Sequence, residues 1–342
     1  MKQRSKAHAR SGHSLFGLAR GFAAWAVALS CLAGGAAAAQ DCPGKAVRIV
    51  VPFPPGGPTD VAARWLADEM RGASGLSFVV ENRAGAAGAL GIDHVAKSAP
   101  DGCTLGISGV GPTILLPALD PKLPYKPLTD LAFVGHSGFS ELILVGRRDL
   151  AAGSVAELLA LARRQPGRLS YASSGSGGPV HVAFELLKSM ARVFVVHIPY
   201  RGDAASVNDL LGGQVDLGML SSAVALPHIR AGRLKAYAAL GAQRSRTLPE
   251  LPTLAESGGS ELAGYEAGVW TLLVAPAGTP PQLLERYNQA LATALRSTTV
   301  TERYAALGMA AAPMSAEQTR RFVQNEARKW QRVIDEAGVK RD

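Results

Sequence analysis

Apolar positions along the chain fall into short β-branched runs, separated by stretches whose apolar residues recur at helical spacing. Val47-Arg-Ile-Val-Val51 is one such run; it halts at Pro52 and predicts a buried strand. Pro54-Pro55-Gly56-Gly57 reads as a turn and Pro58 as the first position of a helix carrying Val61, Trp65, Leu66 and Met70 as far as Gly72. Ser77–Glu81 predicts a second strand, and Gly85-Ala-Ala-Gly88 leads into a short helix. Thr104–Ser108 predicts a third strand, ending in the turn Gly109–Gly111. The alternation then resumes. Ser154-Val-Ala-Glu157 has the form of a capping box before a helix bearing Leu158, Leu159, Leu161 and Ala162. Strands are expected at Leu169–Ala172, Val193–Ile198, Val215–Met219 and Leu234–Ala238, with helices opening at Pro179 and Asp203. Val193–Ile198 is apolar at nearly every position, the pattern of a strand covered on both faces. Trp270–Val274 predicts a last strand, followed by a Pro-rich turn and two closing helices, the second opening on the capping box Ser315–Gln318.

Strands alternating with helices predict an α/β fold. With 342 residues the chain has room for two domains, each expected to be a mainly parallel sheet flanked by helices. The expected division is a leader over residues 1–39, domain 1 over 40–143, domain 2 over 144–245, and a return to domain 1 over 246–342.

The net charge of +9 suggests nucleic-acid binding until the first segment is considered. Lys2, Arg4, Lys6, Arg10 and Arg20 precede an apolar run from Gly21 to Leu32, which ends in small residues at Ala37-Ala38-Ala39. That order describes a secretory signal peptide cleaved near Ala39, and the run is shorter than the ~20 residues a membrane span needs. Its loss removes five bases and no acids, lowering +9 to about +4. No basic stripe with interleaved aromatics remains, so no nucleic-acid partner is expected.

Glycine-rich turns placed just after strands are the most distinctive chemistry: Pro54–Pro58, Gly85–Gly88, Gly109–Gly111 and Ser173–Gly178. Such turns sit at the carboxyl ends of strands, where open α/β sheets bind ligands, and each leads to a helix start whose free N–H groups favour an anion. Taken singly, each is equally an ordinary connection. Catalytic patterns are weak. Ser173–Gly178 lacks the lysine of a phosphate loop, and no G-x-S-x-G elbow or H-E-x-x-H pair occurs. His181 stands one turn before Glu185, a spacing that suits a structural contact or a base. Asp60 and Asp216 form a carboxylate pair only if folding unites them, and Asp60 is better placed to shape its turn. No enzyme activity, cofactor or metal is expected.

Val50-Val-Pro-Phe-Pro-Pro-Gly-Gly-Pro-Thr-Asp60 resembles the first-loop signature of the tripartite tricarboxylate transporter substrate-binding proteins of the Bordetella uptake (Bug) type. Glu81–Gly88, Pro100-Asp-Gly102, Tyr171–Gly177, Pro199-Tyr-Arg-Gly202, Gly213–Asp216, Leu226–Ile229, Pro249–Thr253 and Ala275–Pro280 follow in the family's order across the mature chain. The resemblance implies a periplasmic receptor of the two-domain, type II-like binding-protein fold. It would close on a small organic anion, act as a monomer and serve a two-subunit membrane permease. Carried onto this sequence, the ligand-binding roles fall on Phe53, Gly56, Gly57 and Thr59, on Ser174, Gly175, Ser176 and Gly177, and on Tyr200. Asp60, Ser108, His181 and Ser221, in or beside the same loops, complete the expected set. Leu220-Ser221 stands where many relatives carry Asp-Asn, and Pro179 where a small polar residue is common, so ligand identity does not transfer. A sensory receptor for the same ligand and an exported hydrolase using His181 with a serine of Ser173–Ser176 are the alternative functions.

Cys103, where the family has tyrosine, lies immediately before the third strand, and Cys42 a few residues before the first. In a doubly wound order these strands are parallel neighbours ~4.8 Å apart, so their starting ends lie within reach of a disulfide. Two unbridged thiols are the alternative.

Overall fold

A computed structural model describes Cys42, residues 46–200 and residues 203–340; the expected leader lies outside the described residues. The first units follow the expected order: β1 (Val47–Val51), α1 (Pro58–Ser74), β2 (Phe78–Asn82), α2 (Ala89–Ala96) and β3 (Thr104–Gly109). Then come two strands that were not among those expected, although each opens on an apolar run, Leu131–Val134 and Leu142–Val145. β4 (Leu131–Ser140) passes through the single residue Glu141 into β5 (Leu142–Arg147). The middle of the chain forms α3 (Val155–Arg164), β6 (Ser170–Ser173), α4 (Pro179–Ala191), β7 (Val196–Pro199), α5 (Asp203–Leu211), β8 (Leu217–Ser221), α6 (Ser222–Arg230) and β9 (Leu234–Ala239). β10 (Val269–Pro276), α7 (Pro281–Arg296), α8 (Thr298–Ala306), the short β11 (Met309–Ala310) and α9 (Ala316–Ala337) complete it.

The strands make two sheets, in the orders β11-β4-β10-β3-β1-β2 and β7-β6-β8-β5-β9. β1 pairs in parallel with β2 and β3, and β6 with β7 and β8. The remaining pairs are antiparallel: β10 with β3 and β4, β11 with β4, and β5 with β8 and β9. Both sheets are therefore mixed rather than mainly parallel. The cause is the crossing at Glu141. β1, β3, β6 and β8 run toward it, whereas β5 and β10 start there and must run away.

Alternation places the core. In β5, Leu142 and Leu144 face one apolar cluster with Tyr171, Leu217 and Met219, while Ile143 and Val145 face another with Val207, Leu210 and Leu234. The second sheet is thus covered on both faces. β7 departs from expectation because it is an edge strand: its residues are half-buried or exposed, and Phe194 just before it is 58% exposed.

Helix boundaries follow capping chemistry. The expected box at Ser154 is half made: Ser154 Oγ accepts the Glu157 N–H, but the Glu157 carboxylate accepts from Gly153 instead. The box at Ser315 and Gln318 is complete. Ser297 caps α8 directly after α7, which makes three closing helices where two were expected. α9 buries Val323, Trp330, Val333 and Ile334 along one stripe and packs against both β4 and α4. Its buried Glu326 accepts from the indoles of Trp270 and Trp330, each at 2.9 Å. The stretch from Leu240 to Ala267 stays with the second sheet, where Thr253 bridges Ala239 and the Tyr265 hydroxyl donates to the Ala183 carbonyl.

A disulfide joins Cys42 to Cys103, with Cα atoms 5.2 Å apart, beside the parallel pairing of Arg48 with Thr104. The sequence separation is 61 residues, for which chain entropy alone assigns about 4 kcal/mol. Reduction is expected to lower the thermal midpoint of the folded chain, and titration of denatured, unreduced protein from an oxidising compartment to find neither thiol free.

Candidate functional site

Strand register decides which loops meet. Ser140, the end of β4, pairs with Val269, the start of β10, and Thr271 pairs with Gly109, the end of β3. β1 runs parallel to β3, so its carboxyl end opens on the same side. In the second sheet Leu142, the start of β5, pairs with Ser221, the end of β8, and β6 runs parallel to β8. The loops after β1, β3, β6 and β8 therefore all open toward the crossing at Glu141, from opposite sides. Backbones touch there: a Cβ on Gly308 would lie 2.7 Å from the Ala223 nitrogen.

The loop after β1 is held from behind by Asp60. Its carboxylate accepts the Gly56 N–H (2.9 Å), the Asn82 amide (2.8 Å) and the Arg64 guanidinium (3.0 Å). Asn82 also donates to the Phe53 carbonyl at 3.1 Å. Burial pushes the Asp60 carboxyl up, but these hydrogen bonds and the Arg64 charge outweigh it and hold the pKa below the ordinary 3.8. Asp60 thus shapes the loop, and its side chain is closed off by these partners. The Gly56 amide is spent in the same way. Phe53, Gly57 and Thr59 remain half-buried along the opening, with the ring of Phe53 beside Gly88.

The loop after β6 is built differently. Ser174 is exposed, and Gly175, Ser176 and Gly177 are half-buried. Two of these glycines take backbone angles that side chains rarely adopt, φ 144° at Gly175 and 72° at Gly177. The Gly177 N–H donates to His181 Nδ1 at 2.9 Å, so His181 braces the loop from within α4. Ser173 is 2% exposed, and its hydroxyl meets His197 Nε2 at 2.6 Å and the Gly175 carbonyl at 3.1 Å. A buried hydroxyl under its own loop offers the hydrolase reading no accessible nucleophile at Ser173. Beneath lies Tyr171, whose hydroxyl donates to Glu185 at 2.8 Å; burial, then the Glu185 charge, pushes this phenol far up.

The other expected residues sort themselves by their partners. Ser108 is buried, with its hydroxyl 2.7 Å from that of Thr113, so it ties the turn after β3 together. Tyr200 donates its hydroxyl to Asp209 at 2.8 Å and its amide to the Ser173 carbonyl, which sets its ring beside the second loop. Burial and then Asp209 push its pKa up to about 12. Ser221 is half-buried at the start of α6, directly at the crossing. Asp216 lies at the far end of the second sheet, bonded to Arg147 and the Ser170 amide, so it never meets Asp60. Sequence reasoning missed Arg64, Asn82 and His197. Arg64 stands four residues after Asp60, and His197 interrupts an apolar run; both were readable signals.

One contrast stands out among the helix starts. α3, α8 and α9 satisfy a first-turn amide with a Ser side chain. α1 and α4 each begin with Gly then Pro, and no side chain caps either. Their amides are left open at the crossing. α2, α6 and α7 are also uncapped, but none of them begins with Gly then Pro, and α7 starts at the opposite end of its sheet, after Pro276, which pairs with Leu131.

Two mixed α/β lobes whose loops converge on one crossing define a two-lobed periplasmic-type solute-binding protein. The family model described as "Tripartite tricarboxylate transporter family receptor" matches residues 62–339. The chain belongs to that family of periplasmic receptors. It is 39% identical over 303 residues to protein BugT of Bordetella pertussis, covering 88% of this chain and 92% of that one. A solved R. palustris protein with adipate shares 33% identity and a TM-score of 0.75, covering 88% of this chain and 100% of the other. MatC from Rhodopseudomonas palustris, solved with bound malate, shares 32% identity and a TM-score of 0.69, covering 85% and 99%.

Proposed function

We propose that this receptor captures a small organic anion, a short dicarboxylate in the first instance, between its two lobes and delivers it to a two-subunit membrane permease. The observation that carries this reading is the pair of uncapped Gly-Pro helix starts, α1 and α4, opening toward the crossing from opposite lobes. Open first-turn amides and the positive end of each helix dipole favour a carboxylate without any lysine at the site. Two such sites on opposite lobes suit an acid with two ends, as do adipate and malate in the relatives solved with them. Gly57, Thr59, Ser174, Ser176 and Tyr200 supply the contacts in this reading. Residues 46–139 with 269–340 move against residues 143–267, pivoting at the crossing. The chain acts as an exported monomer, freed of its leader, and the reading assigns it no catalytic step.

Closure is testable in solution. Small-angle scattering is expected to give a smaller radius of gyration with saturating adipate or malate than without. An unchanged radius at proven saturation would mean a rigid receptor.

A further inference from the structure

The loop between β6 and α4 stands on two histidines. His181, from α4, accepts the Gly177 N–H at Nδ1. His197, from β7, meets Ser173, and Ser173 in turn contacts both the amide and the carbonyl of Gly175. The imidazoles stack with centroids 3.9 Å apart and 17° between planes, and Tyr171 of β6 stacks on His197 at 4.9 Å. Glu185 Oε1 lies 3.7 Å from His181 Nε2 and also accepts from the Tyr171 hydroxyl and Lys188. His181 is 8% exposed, and each histidine carries one leg of the loop.

The two legs respond differently to a proton. A ring nitrogen that accepts a hydrogen bond carries no hydrogen, so the Gly177 contact fixes His181 as the neutral Nε2–H tautomer. Imidazolium has hydrogen on both nitrogens. Protonated His181 would set Nδ1–H against the Gly177 N–H, two donors with nothing between them. At its Ser173 contact His197 meets no such conflict: as imidazolium it donates to Ser173, whose own hydrogen goes to the Gly175 carbonyl.

We infer that His181 is a positioning residue and a proton-sensitive latch for the ligand loop Ser174–Gly178. With Nδ1 bare, the loop is held in shape; protonation breaks the Gly177 contact and releases it. The latch is therefore engaged above the pKa of His181 and lost as pH falls through it, and affinity for an anion falls with it. A positive charge acting only through its field would do the reverse and draw the anion in, so the sign is diagnostic. The affinity part rests on the ligand reading above; the loop part does not.

Two measurements on the full mature chain separate them. Without ligand, nitrogen NMR is expected to find His181 Nδ1 unprotonated at pH 8 and the Gly177 amide shifting with the same midpoint as the His181 ring. With adipate and with malate as probes, wild-type affinity is expected to fall on acidification, by about fivefold between the neutral and the fully protonated His181, one lost hydrogen bond. His181→Asn neither titrates nor loses its acceptor, and dividing its profile out removes the ionisation of the acids themselves. A proton on Nδ1 at pH 8, a Gly177 amide indifferent to the ring, or a wild-type profile that matches His181→Asn or rises on acidification would overturn the latch. Failure of both acids to bind would remove the ligand reading, and the Gly177 amide would then decide the latch alone.

Discussion

Gly57→Leu is expected to fold like the wild type and to lose at least about 100-fold in affinity for the captured acid, some 2.7 kcal/mol. The backbone at Gly57 has φ −75° and ψ 165°, ordinary extended angles that any residue adopts. A Cβ there would touch only the Pro54 carbonyl, at 3.6 Å, an ordinary contact. The Gly57 carbonyl would still accept the Val61 N–H and start α1. A branched side chain would cover the first-turn amides that the proposed ligand needs. Calorimetric titration beside a thermal melt checks both halves. Undiminished affinity would mean that the loop after β1 does not touch the ligand.

Gly308→Ala is expected to act on the fold, with a cost of about 2–5 kcal/mol. Gly308 has φ 66°, which disfavours a side chain by roughly 1–2 kcal/mol. Its Cβ would also lie 2.7 Å from the Ala223 nitrogen and 2.8 Å from Ser222 Oγ, an overpacked contact costing about 1–3 kcal/mol. The neighbourhood has little slack. The Gly308 carbonyl accepts the Glu141 N–H, and the Glu141 carbonyl accepts the Ser222 N–H, so three backbones are laced at the crossing. Gly213→Ala is the control, with φ 73° and nothing within 4 Å of its Cβ. It carries the conformational penalty alone, and denaturant melts of the two variants isolate the contact. Equal losses would show that the crossing yields.

Much of the fold was legible because βα units are local. A β-branched run, a Gly-Pro turn and a helical stripe sit within about thirty residues, and β1, α1 and β3 follow that logic closely. The crossing was not legible. In β4 the apolar run Leu131–Val134 breaks at Gly135-His136-Ser137, and its partners β10 and β11 lie far along the chain. Pairing over such separations leaves no local period. β7 shows the opposite limit: an unbroken apolar run says that a strand forms, not which face is covered.

The candidate loops were legible as glycine turns, and the direction of each donor was not. Asp60 and His181 both stood in the expected contact set, although Asp60 read better as a brace for its turn and His181 suited a structural contact as well. Only the fold shows Asp60 turned onto Arg64 and Asn82, and His181 onto Gly177. Arg64, four residues from Asp60, was visible in sequence as a partner; that Asn82 and His197, on other strands, would reach these loops was not.

The central claim, an anion held between uncapped helix starts, is tested most directly by titrating matched pairs that differ only in charge. Short dicarboxylic acids, adipate and malate among them, would be compared with their diamides on the mature protein by calorimetry and thermal shift. At least one acid is expected to bind and, at 100 times its dissociation constant, to stabilise the fold by about 2.7 kcal/mol, while its diamide does nothing. Stabilisation by diamides or neutral sugars with no response to any carboxylate would contradict the account.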